Sequence, residues 1–241
     1  MISSPQTLKT GSNMRALITG ANRGLGLGMV QILLARGDEV YAGARDPDAA
    51  VELQALLPTA AGRLHLLVLD ATERASVDAV AGRLPAGGLD LLINNAGTYG
   101  GGGSLAEVNL DDCAQTFAVN VLGTLRMVQA CLPALRRPGA KIINISSLMG
   151  SIADNGGGGS YGYRMAKAAL NMASKNLALE LGPAGISVLA LHPGWVQTRM
   201  GGAKAPLSVA ASTAAMVRTI DQFGPKQNGQ FLNYDAATLA W

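Results

Sequence analysis

A tyrosine, a lysine and a serine pair in the second half of the chain have the types and spacing for general acid–base chemistry. Tyr163 is followed by Lys167 in the segment YGYRMAKAALN. If that segment is helical, positions i and i+4 share one face, and the ammonium sits one turn from the phenol. Tyr161 has Met165 at the same offset and gains no such partner. A free phenol has a pKa of about 10, too high for an efficient acid or base at neutral pH, and a neighbouring ammonium is expected to lower it. Ser146 and Ser147 close an apolar run upstream and offer the same site a hydroxyl. A Tyr and Lys at this spacing occur on many helices, so the elements that carry them decide what they mean.

From Met14 the chain alternates short apolar runs with longer periodic segments. Strands are predicted at Arg15 to Thr19, Glu39 to Ala44, Leu64 to Leu69, Leu89 to Ile93, Lys141 to Ile145 and Ile186 to Leu191. A last strand, Gln230 to Asn233, closes an edge. The runs are nearly continuous rather than alternating, which indicates burial on both faces. The expected architecture is α/β and doubly wound, a mostly parallel seven-stranded sheet with helices on both faces. The C-terminal strand ends of such a sheet form its ligand crevice, so the fifth strand can set a serine beside the helix of Tyr163.

The first strand runs into TGANRGLG, with glycines at 20, 24 and 26, where a helix begins. Side chains there would keep a phosphate from the backbone amides and the helix N-terminus. A glycine triplet directly after a buried strand and opening a helix is the context a dinucleotide turn requires.

The spacing G-x-x-x-G-x-G resembles the short-chain dehydrogenase/reductase family. Further matching motifs follow in order: Asp70, NNAG at 94–97, Asn120 in FAVN, Ser146–Ser147, Tyr163-x-x-x-Lys167 and HPGWVQT at 192–198. The resemblance covers about residues 14 to 241 and implies one Rossmann-fold oxidoreductase domain there. It implies hydride transfer from a nicotinamide to a carbonyl carbon while Tyr163 protonates the oxygen. Ser147, the second serine, would orient that carbonyl, with Ser146 helping the turn. Lys167 would lower the tyrosine pKa and hold the nicotinamide ribose, and Asn120 would anchor the water of a proton relay. Cofactor contacts implied by the resemblance are Gly20, Asn22, Arg23, Gly24, Leu25 and Gly26 in the turn, and Asp70, which receives the adenine amino group. Asn94, counted with the cofactor residues, ties adjacent strands together, while Ala96 and Gly97 let the backbone lie against the cofactor; Pro193 and Gly194 shape the last turn, and Val196 and Thr198 contact the nicotinamide amide. His192 is expected to be structural.

An NAD enzyme of this fold carries a carboxylate at the end of its second strand. Ala44 stands there instead, with Arg45 next to it and Arg23 in the glycine turn. Two guanidiniums can clamp a 2′-phosphate, so NADP(H) is the expected cofactor. Asp46, the competing acid, reads with Pro47 as the cap and first residue of the next helix. Asp70 also reads as a helix cap.

The insertion ADNGGGGS at 153–160, the segment HPGWVQTRMGG and the closing FLNYDAATLAW resemble the C-factor and sniffer-like carbonyl reductase subgroup. Gly156 to Gly159 suggest a wide, mobile substrate entrance, with Gly100 to Gly103 as its opposite wall. Leu148, Met149, Tyr99, Trp195, Met200 and Trp241 imply an apolar pocket for a small aldehyde, ketone or alcohol.

The bulk properties agree with an enzyme acting on small molecules. A formal charge of +3 over 241 residues, with dispersed arginines, speaks against nucleic-acid or membrane-surface binding. Cys113 and Cys131 suggest free thiols, with neither a disulfide framework nor a metal site. No apolar run reaches about 18 residues, so a cytoplasmic protein without a membrane span is expected. Small residues on the helices around 111–131 and after Tyr163 suggest a homo-oligomer, a dimer or tetramer. Residues 1–13 are polar and patternless, and read as an N-terminal extension. Two rival readings stay open: an NADP(H)-binding signalling or sensor protein, and an alcohol dehydrogenase running oxidatively.

Overall fold

A computed structural model of the chain describes residues 13–241. All but the last residue of the expected extension therefore lies outside the described residues.

Seven strands form one sheet: β1 (Arg15–Thr19), β2 (Glu39–Ala44), β3 (Leu64–Val68), β4 (Leu91–Asn94), β5 (Lys141–Ile145), β6 (Ser187–His192) and β7 (Phe231–Asn233). Their order is β3-β2-β1-β4-β5-β6-β7, and every neighbouring pair is parallel. The chain winds outward from β1 to β3, then returns to pair β4 with β1 and winds the other way. The reversal opens a crevice beyond the C-terminal ends of β1 and β4.

Consecutive strand residues face opposite layers, and both layers are apolar. Ile18, Ile93, Ile143 and Leu189 pack beneath α1 (Gly24–Arg36) and, with Met216 and Ile220, beneath a helix near the C-terminus. Their neighbours Leu17, Leu92, Ile142 and Val188 pack on the other side with Val77, Met127 and Val128. The edge strand β3 departs from the expected two-sided burial: Leu66 is half-buried and Val68 is exposed.

Between these strands lie α2 (Val51–Gln54), α3 (Arg74–Ala81), α4 (Leu110–Phe117), α5 (Gly123–Cys131), α6 (Tyr161–Leu181) and α7 (Val209–Gln222). The single helix expected around 111–131 is interrupted at Ala118–Leu122 by a π-helical turn that carries Asn120. α1 ends where Gly37 takes a left-handed φ of 101°, its N–H bonded to the Leu34 carbonyl. Arg36 of its last turn pairs with Asp38 and, across the layer, with Asp221 of α7.

Candidate active site

The crevice is floored by the glycine turn. A Cβ on Gly26 would come within 2.2 Å of the Gly20 carbonyl oxygen, so only glycine lets the chain fold back there and open α1 at Gly24. Two residues the sequence reading passed over hold the turn. Thr19 Oγ1 accepts from the N–H groups of Asn95 (3.0 Å) and Ala96 (2.9 Å). Asn95 Nδ2 donates to the carbonyls of Thr19 (2.9 Å) and Gly20 (3.0 Å). Asn94 points the other way, its Nδ2 donating to Asn144 Oδ1 at 2.9 Å, so it is buried and ties β4 to β5 as expected. Asn22 is half-buried, and Leu25 packs against the core under the turn.

Ser147, Tyr163, Lys167 and Asn120 converge at the crevice. Ser146 and Ser147 follow β5 and face opposite ways. Ser146 Oγ donates to buried Asn171 at 2.5 Å, whereas Ser147 Oγ accepts the Met149 N–H at 3.2 Å and keeps its own proton to donate. The turn after Ser147 lies directly on α6: a Cβ on Gly150 would be 2.7 Å from the Lys167 backbone. This contact sets serine, tyrosine and lysine in one register. Lys167 Nζ donates to the Ile145 carbonyl at 2.7 Å and sits 5.6 Å from the centroid of the Tyr163 ring. Asn120 clamps the loop after β4, donating to the Thr98 carbonyl (2.8 Å) and accepting the Thr98 N–H (2.9 Å). Its own carbonyl accepts from Thr124 Oγ1 at 3.0 Å. Gly97 completes the enclosure, since a Cβ there would be 2.9 Å from Asn120 Oδ1.

In the protein alone, burial rather than the ammonium dominates the tyrosine pKa. Burial pushes the Tyr163 phenol up to about 12, the Ser147 hydroxyl pulls it back, and Tyr99 raises it further. Burial likewise pushes the Lys167 ammonium down to about 8. Both groups sit in a poorly solvated site, and the ammonium donates to the Ile145 carbonyl and stands over the Tyr163 ring. The site therefore holds a protonated phenol at neutral pH.

The two glycine loops meet. Ser160 N–H bonds the Gly103 carbonyl at 3.2 Å, and the Tyr99 hydroxyl lies 2.7 Å from Ser160 Oγ. Arg164 Nε holds the Gly158 carbonyl at 3.1 Å. The two loops are thus joined beside Tyr163. Leu148 and Met149 are half-buried on the turn after Ser147. Trp195 and Met200 are exposed on the loop after β6, and Trp241 stacks on Phe231 at 5.5 Å.

At the far end of the crevice Ala44 closes β2, and Arg45, exposed, follows it. Asp46 accepts the Ala49 N–H at 3.0 Å, so it caps a turn, while α2 starts only at Val51. Asp70 likewise closes a turn on Thr72 (2.9 Å to its N–H, 2.7 Å to its hydroxyl), and α3 begins past Glu73. Hydrogen bonds from Thr72 hold the Asp70 carboxylate below its ordinary pKa against partial desolvation, and Arg45 adds to the lowering. In the loop after β6, the Pro193 carbonyl accepts from Ser212 at 2.7 Å, Gly194 has a φ of 82°, and Val196 is buried. Thr198 reaches the glycine turn, its Cγ2 3.5 Å from where a Gly24 Cβ would lie. His192 is neutral, pushed down to about 4 by burial against the opposing effect of Asp154.

The family model described as short chain dehydrogenase matches residues 14–206. The chain belongs to the short-chain dehydrogenase family. The C-signal protein of Myxococcus xanthus is 45% identical over 156 residues, 64% of this chain and 94% of that protein. The 1-hydroxy-2-glutathionyl-2-methyl-3-butene dehydrogenase of Rhodococcus sp. (strain AD45) is 32% identical, covering 93% of this chain and 98% of its own length. Among solved structures, the carbonyl reductase Sniffer of D. melanogaster superposes with a TM-score of 0.90 at 38% identity, over 96% of this chain and all of that one (100%). An NADPH-bound carbonyl reductase from chicken fatty liver gives 0.88 at 38% identity, over 94% and 98%. This short-chain dehydrogenase therefore shares both fold and subgroup with the relatives its motifs resemble.

Proposed function

We propose that the protein is an NADPH-dependent carbonyl reductase acting on small aldehydes or ketones. The observation that carries this reading is Tyr163, a buried and protonated phenol flanked by Ser147 and Lys167 at the mouth of the glycine turn. The glycine cradle, in which a Cβ at residue 26 would strike the Gly20 carbonyl, fits a dinucleotide's phosphates. A reduced nicotinamide bound there would supply the hydride. Ser147 then donates a hydrogen bond to the substrate carbonyl oxygen and orients it, and Tyr163 gives that oxygen its proton. Lys167 holds positive charge beside the ring and stabilises the phenolate left behind. Asn120 positions the loop that carries Ala96 and Gly97.

NADP(H) over NAD(H) is supported by Ala44, Arg45 and Arg23, and by Asp46 being engaged in its own turn. The NADPH-bound chicken relative agrees with it. The raised phenol keeps its proton at neutral pH, where reduction needs a proton to give and oxidation needs the phenolate, which favours the reductive direction. The second reading, a cofactor-binding signalling protein, is favoured by the 45% identity to C-signal. Replacing Tyr163 with Phe separates them: turnover is lost and NADPH binding kept if the first reading holds.

We also infer a homo-oligomer. Met165, Met172 and Leu179 lie seven residues apart on one exposed stripe of α6, an apolar face suited to a second copy. Among the described residues no helix is long and apolar enough to cross a membrane, and we assign the protein to the cytoplasm.

A further inference from the structure

We propose that Arg199 grips the pyrophosphate of the bound dinucleotide, and so fastens the loop after β6 to the cofactor. The proposal rests on the cofactor reading above and adds to it a residue that the sequence reading did not single out.

The geometry begins with Thr198. Its Oγ1 accepts the Gly201 N–H at 3.0 Å and its carbonyl accepts the Gly202 N–H at 2.9 Å, so residues 198–202 form a tight turn with Arg199 exposed at its tip. The same threonine packs against the opening of α1, its Cγ2 3.5 Å from a Cβ built on Gly24. Arg23 immediately precedes Gly24 and Arg199 immediately follows Thr198, so the two guanidiniums stem from facing sides of one contact. Arg45, at the end of β2, completes a group of three. The Arg23 pKa is held below its ordinary value by partial burial and then by the charges of Arg199 and Arg45.

Among the described residues, no carboxylate forms an ion pair with any of these three arginines. Asp70 offsets part of the charge at Arg45, but like charges gathered with no carboxylate paired to them favour the binding of an anion. The two ends of the group differ in what they face. Arg45 lies next to Asp70, on the adenosine side, where a 2′-phosphate sits. Thr198 and Arg199 lie at the start of α1, where backbone amides and the glycine turn receive the pyrophosphate. The Arg199 loop also carries Trp195, whose Nε1 donates to the Gly201 carbonyl at 2.8 Å, and Met200. A phosphate held by Arg199 therefore fixes the side chains that border the substrate space.

Calorimetric titration of the full chain with NADPH and with NADH tests this, using wild type, Arg199→Met and Arg45→Met, with a thermal melt to check folding. Arg199→Met is expected to weaken both dinucleotides by a similar factor, about tenfold for one charge-assisted contact. Arg45→Met is expected to weaken NADPH alone. Unchanged affinity for both in Arg199→Met would overturn the proposal. Loss confined to NADPH would also overturn it, by moving Arg199 to the 2′-phosphate. Wild-type protein that binds neither dinucleotide would instead overturn the cofactor reading, and the proposal with it.

Discussion

The Tyr99 hydroxyl lies 2.7 Å from Ser160 Oγ, and the ring of the same tyrosine sits 4.8 Å from that of Tyr163. One side chain thus bolts the two glycine loops together and roofs the phenol. Ser160 adopts a left-handed φ of 45° to make this contact, a conformation a non-glycine residue holds only when its surroundings enforce it. Removing only the hydroxyl, in Tyr99→Phe, should release the loops while leaving the roof. The expected result is faster amide hydrogen exchange across residues 153–160 with NADPH affinity unchanged. Unaltered exchange in that segment would mean the bond does not hold the loops.

The pH dependence of reduction follows from two buried groups. With Tyr163 raised to about 12, its proton is in place throughout the neutral range, so reduction should show no alkaline-side limb from this residue there. Lys167, pushed down to about 8, loses its charge above that pH, and kcat for carbonyl reduction should decline there. The reverse oxidation needs the phenolate and should rise with pH instead. A kcat profile measured in both directions checks the sign, and a reductive rate that climbs with pH would contradict it.

Lys167 also costs stability. Its folded pKa of about 8 lies below the unfolded value of 10.5, so the unfolded chain binds the extra proton between those pH values. Stability is therefore full above the unfolded value and is lost as pH falls to about 8. Below that the penalty is on the order of 3 kcal/mol. Lys167→Met relieves it and forfeits the bond to Ile145, worth about 1 kcal/mol. Turnover should fall at least about 100-fold, with Tm at pH 7 unchanged or higher. A Tm drop of more than about 5 °C would contradict this account.

His192 predicts a sensitivity to acid. Its Nδ1 is buried without a hydrogen-bond partner among the described residues, and its pKa falls from 6.5 to about 4, chiefly through burial. As pH drops through that window the unfolded chain takes up a proton that the folded chain refuses, so stability declines. The loss at the acid end should reach on the order of 3 kcal/mol. His192→Asn should flatten the dependence, which urea midpoints at neutral and acidic pH would reveal.

The fold was readable in the sequence because its strands are short, apolar and separated by turns with clear chemistry. Six of the seven predicted strands match the observed ones to within a residue at either end, and the Leu89 start fails because Leu89 makes only an isolated bridge, to Leu135. The site residues could be named because motif spacing fixes them in order. Their electrostatics could not, because the tyrosine pKa depends on how deeply α6 buries it and on where the Lys167 ammonium finds an acceptor. Asp46 and Asp70 misled as helix caps because a turn and a helix start share the same cap chemistry. Arg199 was invisible because its neighbours, Arg23 and Arg45, come from the other end of the chain.

Hydride transfer itself is the central claim. Initial rates of NADPH and NADH oxidation, measured against a panel of aldehydes, ketones and α-dicarbonyls with wild type and Tyr163→Phe, test it most directly. The account predicts turnover by wild type that prefers NADPH and is abolished in Tyr163→Phe. Wild-type protein that binds NADPH but reduces no carbonyl, or a Tyr163→Phe variant that reduces them as fast as wild type, would contradict it.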